Sequence, residues 1–339
     1  MKKLVDYMLV MLLIIIVMPF LIVKGCTFNK GSFPDRGKRA VDADVKVKVY
    51  MAKDKKVVEM QLEEYIKGVV AAEMPAEFEP EALKAQAIAA RTYAYGRIKK
   101  IYSSREDMHD GADICTDPAH CQAWISKDEA KKSWGILSSY KYWSKIEKAV
   151  DETRGVIVVY ENSVINPVFH SNSGGRTENA EDVWDGVKVP YLKSVQSDGE
   201  ENNPEFKAEV QIKDKDFTER LKNEYPNFRY DGKDVLKDSR ILARTGGERV
   251  KSIKIGNITL KGTDIRRIFS LNSANFNLER AGTGVIKIIT FGNGHGVGMS
   301  QWGANYLAKN GGTYEEILKY YYNCLLYTSQ SPRDRQKSR

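Results

Sequence analysis

The sequence predicts an α+β fold, mixed helices and short strands set behind an N-terminal transmembrane helix. Three observations carry this expectation. The chain opens on an apolar run from Tyr7 to Val23, interrupted only by Pro19, long enough for a short, tilted membrane span. Beyond it, segments of period 2 and period 3.6 follow one another without regular alternation, which argues against a doubly wound sheet. The 339 residues leave room for one large domain or two lobes with a sizeable core.

Residues 1–25 are the expected membrane anchor. Lys2 and Lys3 precede the apolar run, so the positive-inside rule puts them in the cytoplasm and the rest of the chain outside. A signal-peptide core would have similar length, but no clear small-x-small cleavage site follows, which favours a retained anchor. Cys26 offers a lipid attachment site, although Lys24 stands where a small uncharged residue is expected. Residues 26–43 are polar, with Gly, Pro and mixed charge, and read as a linker.

Val45, Val47 and Val49 alternate with Asp44, Lys46 and Lys48, the pattern of a strand with one wet face. Leu62, Tyr65, Ile66 and Val69 recur at helical spacing, and Pro75 ends that helix near Met74. Pro80 opens a second helix, where its missing N–H costs little. Leu83, Ala87, Ala90, Ala94 and Ile98 form its expected buried stripe. Residues 107–124 are a loop rich in Cys and His, and a lysine-rich helix spans about 127–153. Two strands follow, Val156 to Tyr160 and Val164 to His170, joined at Glu161–Ser163.

Residues 171–205 are Gly- and Asn-rich with little apolar periodicity, and such long segments inside compact domains are usually functional or disordered. Trp184, Tyr191 and Leu192 point to packing here. Residues 206–292 mix short helices with strands such as Val285 to Phe291, and a helix near 313–323 follows a Gly-rich turn. From Cys324 to Arg339 the sequence breaks abruptly and resembles a translated sequencing-adapter read-through. This stretch, residues 324–339, is treated as a non-native tail. The folded domain is expected over residues 44–323.

The formal charge of +8 arises from 53 basic and 45 acidic residues interleaved through the chain. No basic stripe or stacking-aromatic motif accompanies it, so nucleic acid is not an expected partner. A basic exterior suits anionic membranes and wall polymers.

Glu73 is the first candidate for chemistry. It ends an apolar helix in Gly68-Val-Val-Ala-Ala-Glu-Met-Pro75, and a carboxyl group in apolar surroundings resists ionisation, as a general acid requires. The bland alternative is a helix-end glutamate facing water. His109, Cys115, His120 and Cys121 fall within thirteen residues and can close a tetrahedral Zn²⁺ site. Four protein ligands leave no position for water, so such an ion is structural. The loop follows the Glu73 hairpin, so the zinc would brace the groove. A Cys115–Cys121 disulfide is the competing reading outside the cell. A Ser171, His170 and Asp182 triad lacks the strand–turn–helix context of a nucleophile elbow.

The Gly68–Pro75 motif, followed by Glu81-Ala-Leu-Lys-Ala-Gln-Ala-Ile-Ala-Ala-Arg-Thr-Tyr93, resembles the signature of the stage II sporulation protein D family. Two further blocks agree: Phe169-His-Ser-Asn-Ser-Gly-Gly-Arg-Thr-Glu-Asn179, and Gly294-His-Gly-Val-Gly-Met-Ser-Gln-Trp-Gly-Ala304. The resemblance implies a peptidoglycan lytic transglycosylase that cuts strands stripped of stem peptides, with Glu73 as its acid/base. It also implies a sporulating cell's septal and engulfing membrane as the setting, with stage II sporulation proteins P (an amidase) and M as partners. The expected architecture is then two lobes around a glycan-binding groove. Arg91, Tyr93, His170, Ser171, Ser173, Gly175, Thr177, His295 and Gln301 are its expected lining. A non-catalytic glycan-binding activator of a wall amidase is the alternative. A zinc amidase would need an open metal position that four protein ligands do not leave.

Overall fold

The computed structural model describes residues 44–102, 109, 111–184, 186–232, 234–323 and the backbone of 325–327. The expected anchor, the linker with Cys26, and residues beyond 327 lie outside them. Among the described residues no helix is long and apolar enough to cross a membrane.

The fold is α+β, as the sequence predicts. Strand β1 (Lys46–Met51) buries Val47 and Val49 completely and leaves Lys46 and Lys48 wet. It lies between β2 (Lys56–Gln61, antiparallel) and the short parallel β3 (Ile114–Cys115). Helix α1 (Leu62–Glu73) stops where expected, with Met74 turned to extended geometry ahead of Pro75. Helix α2 (Pro80–Ile98) is buried on nearly every side, wider than the expected stripe. It packs against α1, against α3 (Lys127–Glu152) and against the two C-terminal helices, α7 (Gln301–Lys309) and α8 (Tyr314–Tyr322). Its alanines permit that crowding because a methyl group lets neighbouring backbones approach closely. Helix α3 is broken at Gly135, whose φ of 74° is left-handed.

Arg91 sits at the centre of this helical core with no exposed surface. Its guanidinium makes a bidentate pair with buried Glu63, at 2.7 and 2.9 Å, and donates to the carbonyls of Val150 and Val156. A fully desolvated charge persists only when paired and hydrogen-bonded in this way. The expectation that Arg91 lines a groove is therefore corrected: it ties α1, α2 and the end of α3 together.

The expected strand over 164–170 is two pieces, Ser163–Val164 and Phe169–His170. The first is the far side of a tight hairpin with Ile157–Tyr160, turned by Glu161 and Asn162 at positive φ. The second pairs in parallel with Met299–Ser300. Leu325–Tyr327, within the stretch set aside as a tail, pairs antiparallel with Ile157–Val159.

A second hydrophobic core lies in residues 207–291. There the strand Val285–Phe291 runs between Lys207–Lys213 and Phe276–Gly282, and Val250–Ile255 runs between Ser239–Arg244 and Ile258–Leu260. Phe217, Phe228, Ile253, Ile265, Phe276 and Ile288 fill the space between these sheets and the helices Asp214–Glu224 and Gly262–Phe269.

Candidate functional site

Glu73 closes α1 at the edge of the helical core, with its side chain half-buried and Ala72 beside it exposed. Its Oε1 accepts the backbone N–H of Ala123 at 2.8 Å. Burial raises its pKa above the ordinary 4.5, and this outweighs the opposing pull of the Ala123 N–H and the Gln301 amide. Gln301 Nε2 in turn stands 3.5 Å from the side-chain Oε1 of buried Gln86. Sequence blocks more than two hundred residues apart thus meet at one carboxyl group, and Gln86 is a neighbour the sequence reading did not include among site residues.

The loop after Glu73 is held from two sides. Asn305 Oδ1 accepts the Glu79 N–H at 2.8 Å, and Lys145 donates to the carbonyls of Ala76, Glu77 and Phe78. Phe78 packs edge-on against Trp302, with ring centroids 4.9 Å apart.

The Ala123 N–H is delivered by the Cys/His loop, and Gly68 explains how. A Cβ at Gly68 would stand 2.2 Å from Trp124 Nε1, so only glycine lets Trp124 lie against α1, where the Ile125 N–H reaches the Gly68 carbonyl. Gly68→Ala is expected to cost about 1–3 kcal/mol through overpacking and to lower any activity of Glu73 by displacing Ala123. Urea denaturation beside a cleavage assay checks both; full stability with full activity would refute this role.

His109, Cys115, His120 and Cys121 converge: their ligand atoms all lie within 4.8 Å of one another. His109 Nε2 is 2.8 Å from His120 Nδ1, and Cys121 Sγ is 3.4 Å from His109 Nε2. A four-coordinate ion held at ordinary Zn–S and Zn–N lengths needs separations of about 3.3–3.8 Å between donors, so the group could hold a metal after small adjustments. Both cysteines are free thiols here rather than a disulfide. Cys121 is the readily ionised one, because the Cys115 thiol donates to it, helped by the Tyr93 hydroxyl. Tyr93 therefore serves the cysteine cluster, where the sequence reading expected it in a glycan groove.

The Phe169–Asn179 block is spent mostly inside the protein. Glu200, fully buried, accepts from Ser173 Oγ at 2.7 Å, Ser197 Oγ at 2.7 Å, and the N–H groups of Gly174 and Gly175. Thr177 Oγ1 accepts the Val195 N–H at 2.8 Å and is also fully buried. Ser173 and Thr177 thus use their polar groups to satisfy the fold, a correction to their expected place on a sugar-facing surface, while Gly175 is half-buried with open space beside it. Nothing in the sequence marked Glu200 as the hub. Ser173→Ala is expected to cost about 1–3 kcal/mol by leaving part of that carboxylate unsatisfied, read by urea denaturation; unchanged stability would refute this structural role.

His170 and His295 lie side by side, ring centroids 5.5 Å apart. His170 Nδ1 faces the Val297 carbonyl at 3.1 Å, while its Nε2 is buried without a partner. His295 Nδ1 accepts the Val297 N–H, and its ring is 5.4 Å from that of Trp184. Burial first, then the nearby Arg249 and Arg266 charges, push His295 down to about 4; burial also lowers His170. Both are neutral at physiological pH. Ser171 holds the start of α7, its carbonyl accepting the Trp302 N–H at 3.1 Å. His170 sits opposite Ser300 in the parallel pair, one residue before Gln301. A buried Arg249–Glu178 pair at 3.4 Å, unmarked in the sequence reading, crosses behind this block.

Comparison with known proteins places these features in a family context. A family profile described as stage II sporulation protein matches residues 50–160. Stage II sporulation protein D of Bacillus subtilis (strain 168) is 42% identical over 278 residues, covering 82% of this chain and 77% of that protein. Stage II sporulation protein D of Bacillus amyloliquefaciens is 39% identical, covering 91% of this chain and 89% of its own length. A protein named amidase enhancer, from Bacillus subtilis (strain 168), is 27% identical over 78% of this chain and 40% of that protein.

Proposed function

Since the chain belongs to the stage II sporulation protein D family, we propose that it is a lytic transglycosylase of the sporulating cell wall. In this reading it cleaves MurNAc–GlcNAc bonds of denuded glycan strands and leaves 1,6-anhydroMurNAc ends. The observation that carries the proposal is Glu73: a half-buried carboxyl group whose pKa burial raises, with the Ala123 N–H and the Gln301 amide bonded to it.

One carboxyl group suffices for this reaction, whereas ordinary glycosidases use two. Glu73 gives its proton to the glycosidic oxygen as the bond from C1 breaks. The muramic-acid C6 hydroxyl then bonds to C1, and its proton returns to the Glu73 carboxylate. Gln301 and the Ala123 N–H steady that carboxylate between the two transfers. Ser171 and His295 remain proposed contacts for glycan in a groove, whereas His170, buried with both ring nitrogens inside, packs beside His295 instead of lining it. His109, Cys115, His120 and Cys121 would hold zinc as a closed structural site, supporting the loop that carries Ala123.

The same reading anchors the protein by residues 1–25 with its folded unit outside the cytoplasmic membrane. Stage II sporulation protein P, an amidase, would supply strands without stem peptides, and protein M would share the septal membrane. The likeness to a protein named amidase enhancer favours one second reading, a glycan-binding activator of a wall amidase in which Glu73 cleaves nothing. Incubating the protein with peptide-free glycan strands, beside Glu73→Gln, separates the two by mass spectrometry. Anhydro-muramic ends from the wild type alone support the transglycosylase; binding without cleavage, equal in both proteins, leaves the activator.

A further inference from the structure

Helix α3 breaks in the sequence Lys131-Lys-Ser-Trp-Gly-Ile-Leu-Ser-Ser-Tyr-Lys141. Gly135 makes the break at φ 74°, with open space around it. Ile136 and Leu137 immediately after it are 95% and 98% exposed, and Tyr140 one turn on is 78% exposed. The other exposed large hydrophobic residues among those described reach at most 46%. Single exposed apolar residues are ordinary, but a contiguous group at a protruding tip marks an interaction site.

The surroundings of the tip identify what it meets. Trp134 stands half-buried beneath it, edge-on to Tyr142 at 5.7 Å. Lys131, Lys132 and Lys141 flank it, and none of them has an ion-pair partner among the described residues. The other lysines of α3 are engaged: Lys127 with Glu147, Lys148 with Glu152, and Lys145 with three loop carbonyls. Aliphatic side chains at the apex, aromatic rings behind them and unpaired cations at the sides match the depth profile of an anionic bilayer surface. Three apolar side chains fall short of the ~800 Å² per partner that a stable protein interface covers, whereas a lipid surface requires only a shallow apolar wedge with cations beside it.

We propose that the Gly135 tip inserts into the headgroup region of an anionic phospholipid bilayer and sets the orientation of the catalytic face against it. The coupling is visible in the contacts. The Tyr142 hydroxyl interacts with the Glu77 carboxylate, and Lys145 donates to the carbonyls of Ala76, Glu77 and Phe78, so the helix that carries the tip is tied to the loop after Glu73. This rests on the proposed reading of residues 1–25 as an anchor, which keeps the folded unit within reach of lipid.

All five tryptophans lie in the folded unit, so their quenching by lipids brominated near the headgroups reads the tip and not the anchor. The full chain is reconstituted into vesicles of phosphatidylcholine with or without phosphatidylglycerol, as wild type, Ile136→Ser/Leu137→Ser, and Lys131→Gln/Lys132→Gln/Lys141→Gln. Quenching of the wild type on anionic vesicles is expected to fall by about two-fold or more in both variants and on neutral vesicles, with soluble-strand cleavage by the serine variant unchanged. Equal quenching in all three proteins, while they co-float with vesicles, would overturn the wedge and leave the anchor standing. Failure to co-float would overturn both. Unchanged quenching with loss of self-association in the serine variant would assign the tip to a second copy instead, and lost cleavage with unchanged quenching would assign it to the glycan.

Discussion

Glu73→Gln is expected to lower strand cleavage by about 10²–10⁴-fold, the usual worth of a positioned acid–base group, while leaving the protein folded. The stability of this variant should depend on pH in a definite direction. Burial raises the carboxyl group of Glu73 in the folded state, so the folded protein loses stability as pH rises from the unfolded-state pKa through that higher value. Below the unfolded value the cost is absent, and above the folded value it is fully present. Glutamine cannot ionise and keeps an acceptor for the Ala123 N–H. Denaturation at pH 4 and pH 8 should therefore show the variant gaining on the wild type only at the higher pH. The wild-type cleavage rate should fall over the same window, because the first step needs the protonated acid. Wild-type cleavage retained in the glutamine protein would end the assignment.

Removing the metal proposed for His109, Cys115, His120 and Cys121 should act on both stability and chemistry. Chelation, or Cys121→Ser, is expected to cost on the order of 5 kcal/mol. That is below the ~10–16 kcal/mol apparent binding energy of small zinc domains, which have no other core; here the two hydrophobic cores persist. Cleavage should fall as well, since Cys121 lies two residues before Ala123, whose N–H holds Glu73. Metal analysis with thiol titration reads the outcome: both loop thiols should be protected with bound metal and reactive after chelation. Thiols that are unreactive, metal-free and restored by reductant would establish the Cys115–Cys121 disulfide instead.

The sequence by itself determined the elements whose signals are local. Alternating Val47 and Val49 specify a strand, Pro75 and Pro80 bound two helices, and the helix expected near 313–323 is α8. The convergence of His109, Cys115, His120 and Cys121 was also legible, because ligands within thirteen residues need only one bent loop to meet. Tertiary structure alone decided which polar residues face inward. Arg91, Ser173 and Thr177 share composition with surface groups, yet each is buried because a partner distant in sequence satisfies it: Glu63, Glu200 and Val195. It also decided that Gln301 and the Ala123 N–H meet at Glu73, with Gln86 behind Gln301. A hydrogen bond across two hundred residues leaves no periodicity in the chain, since its geometry exists only once the helices have packed.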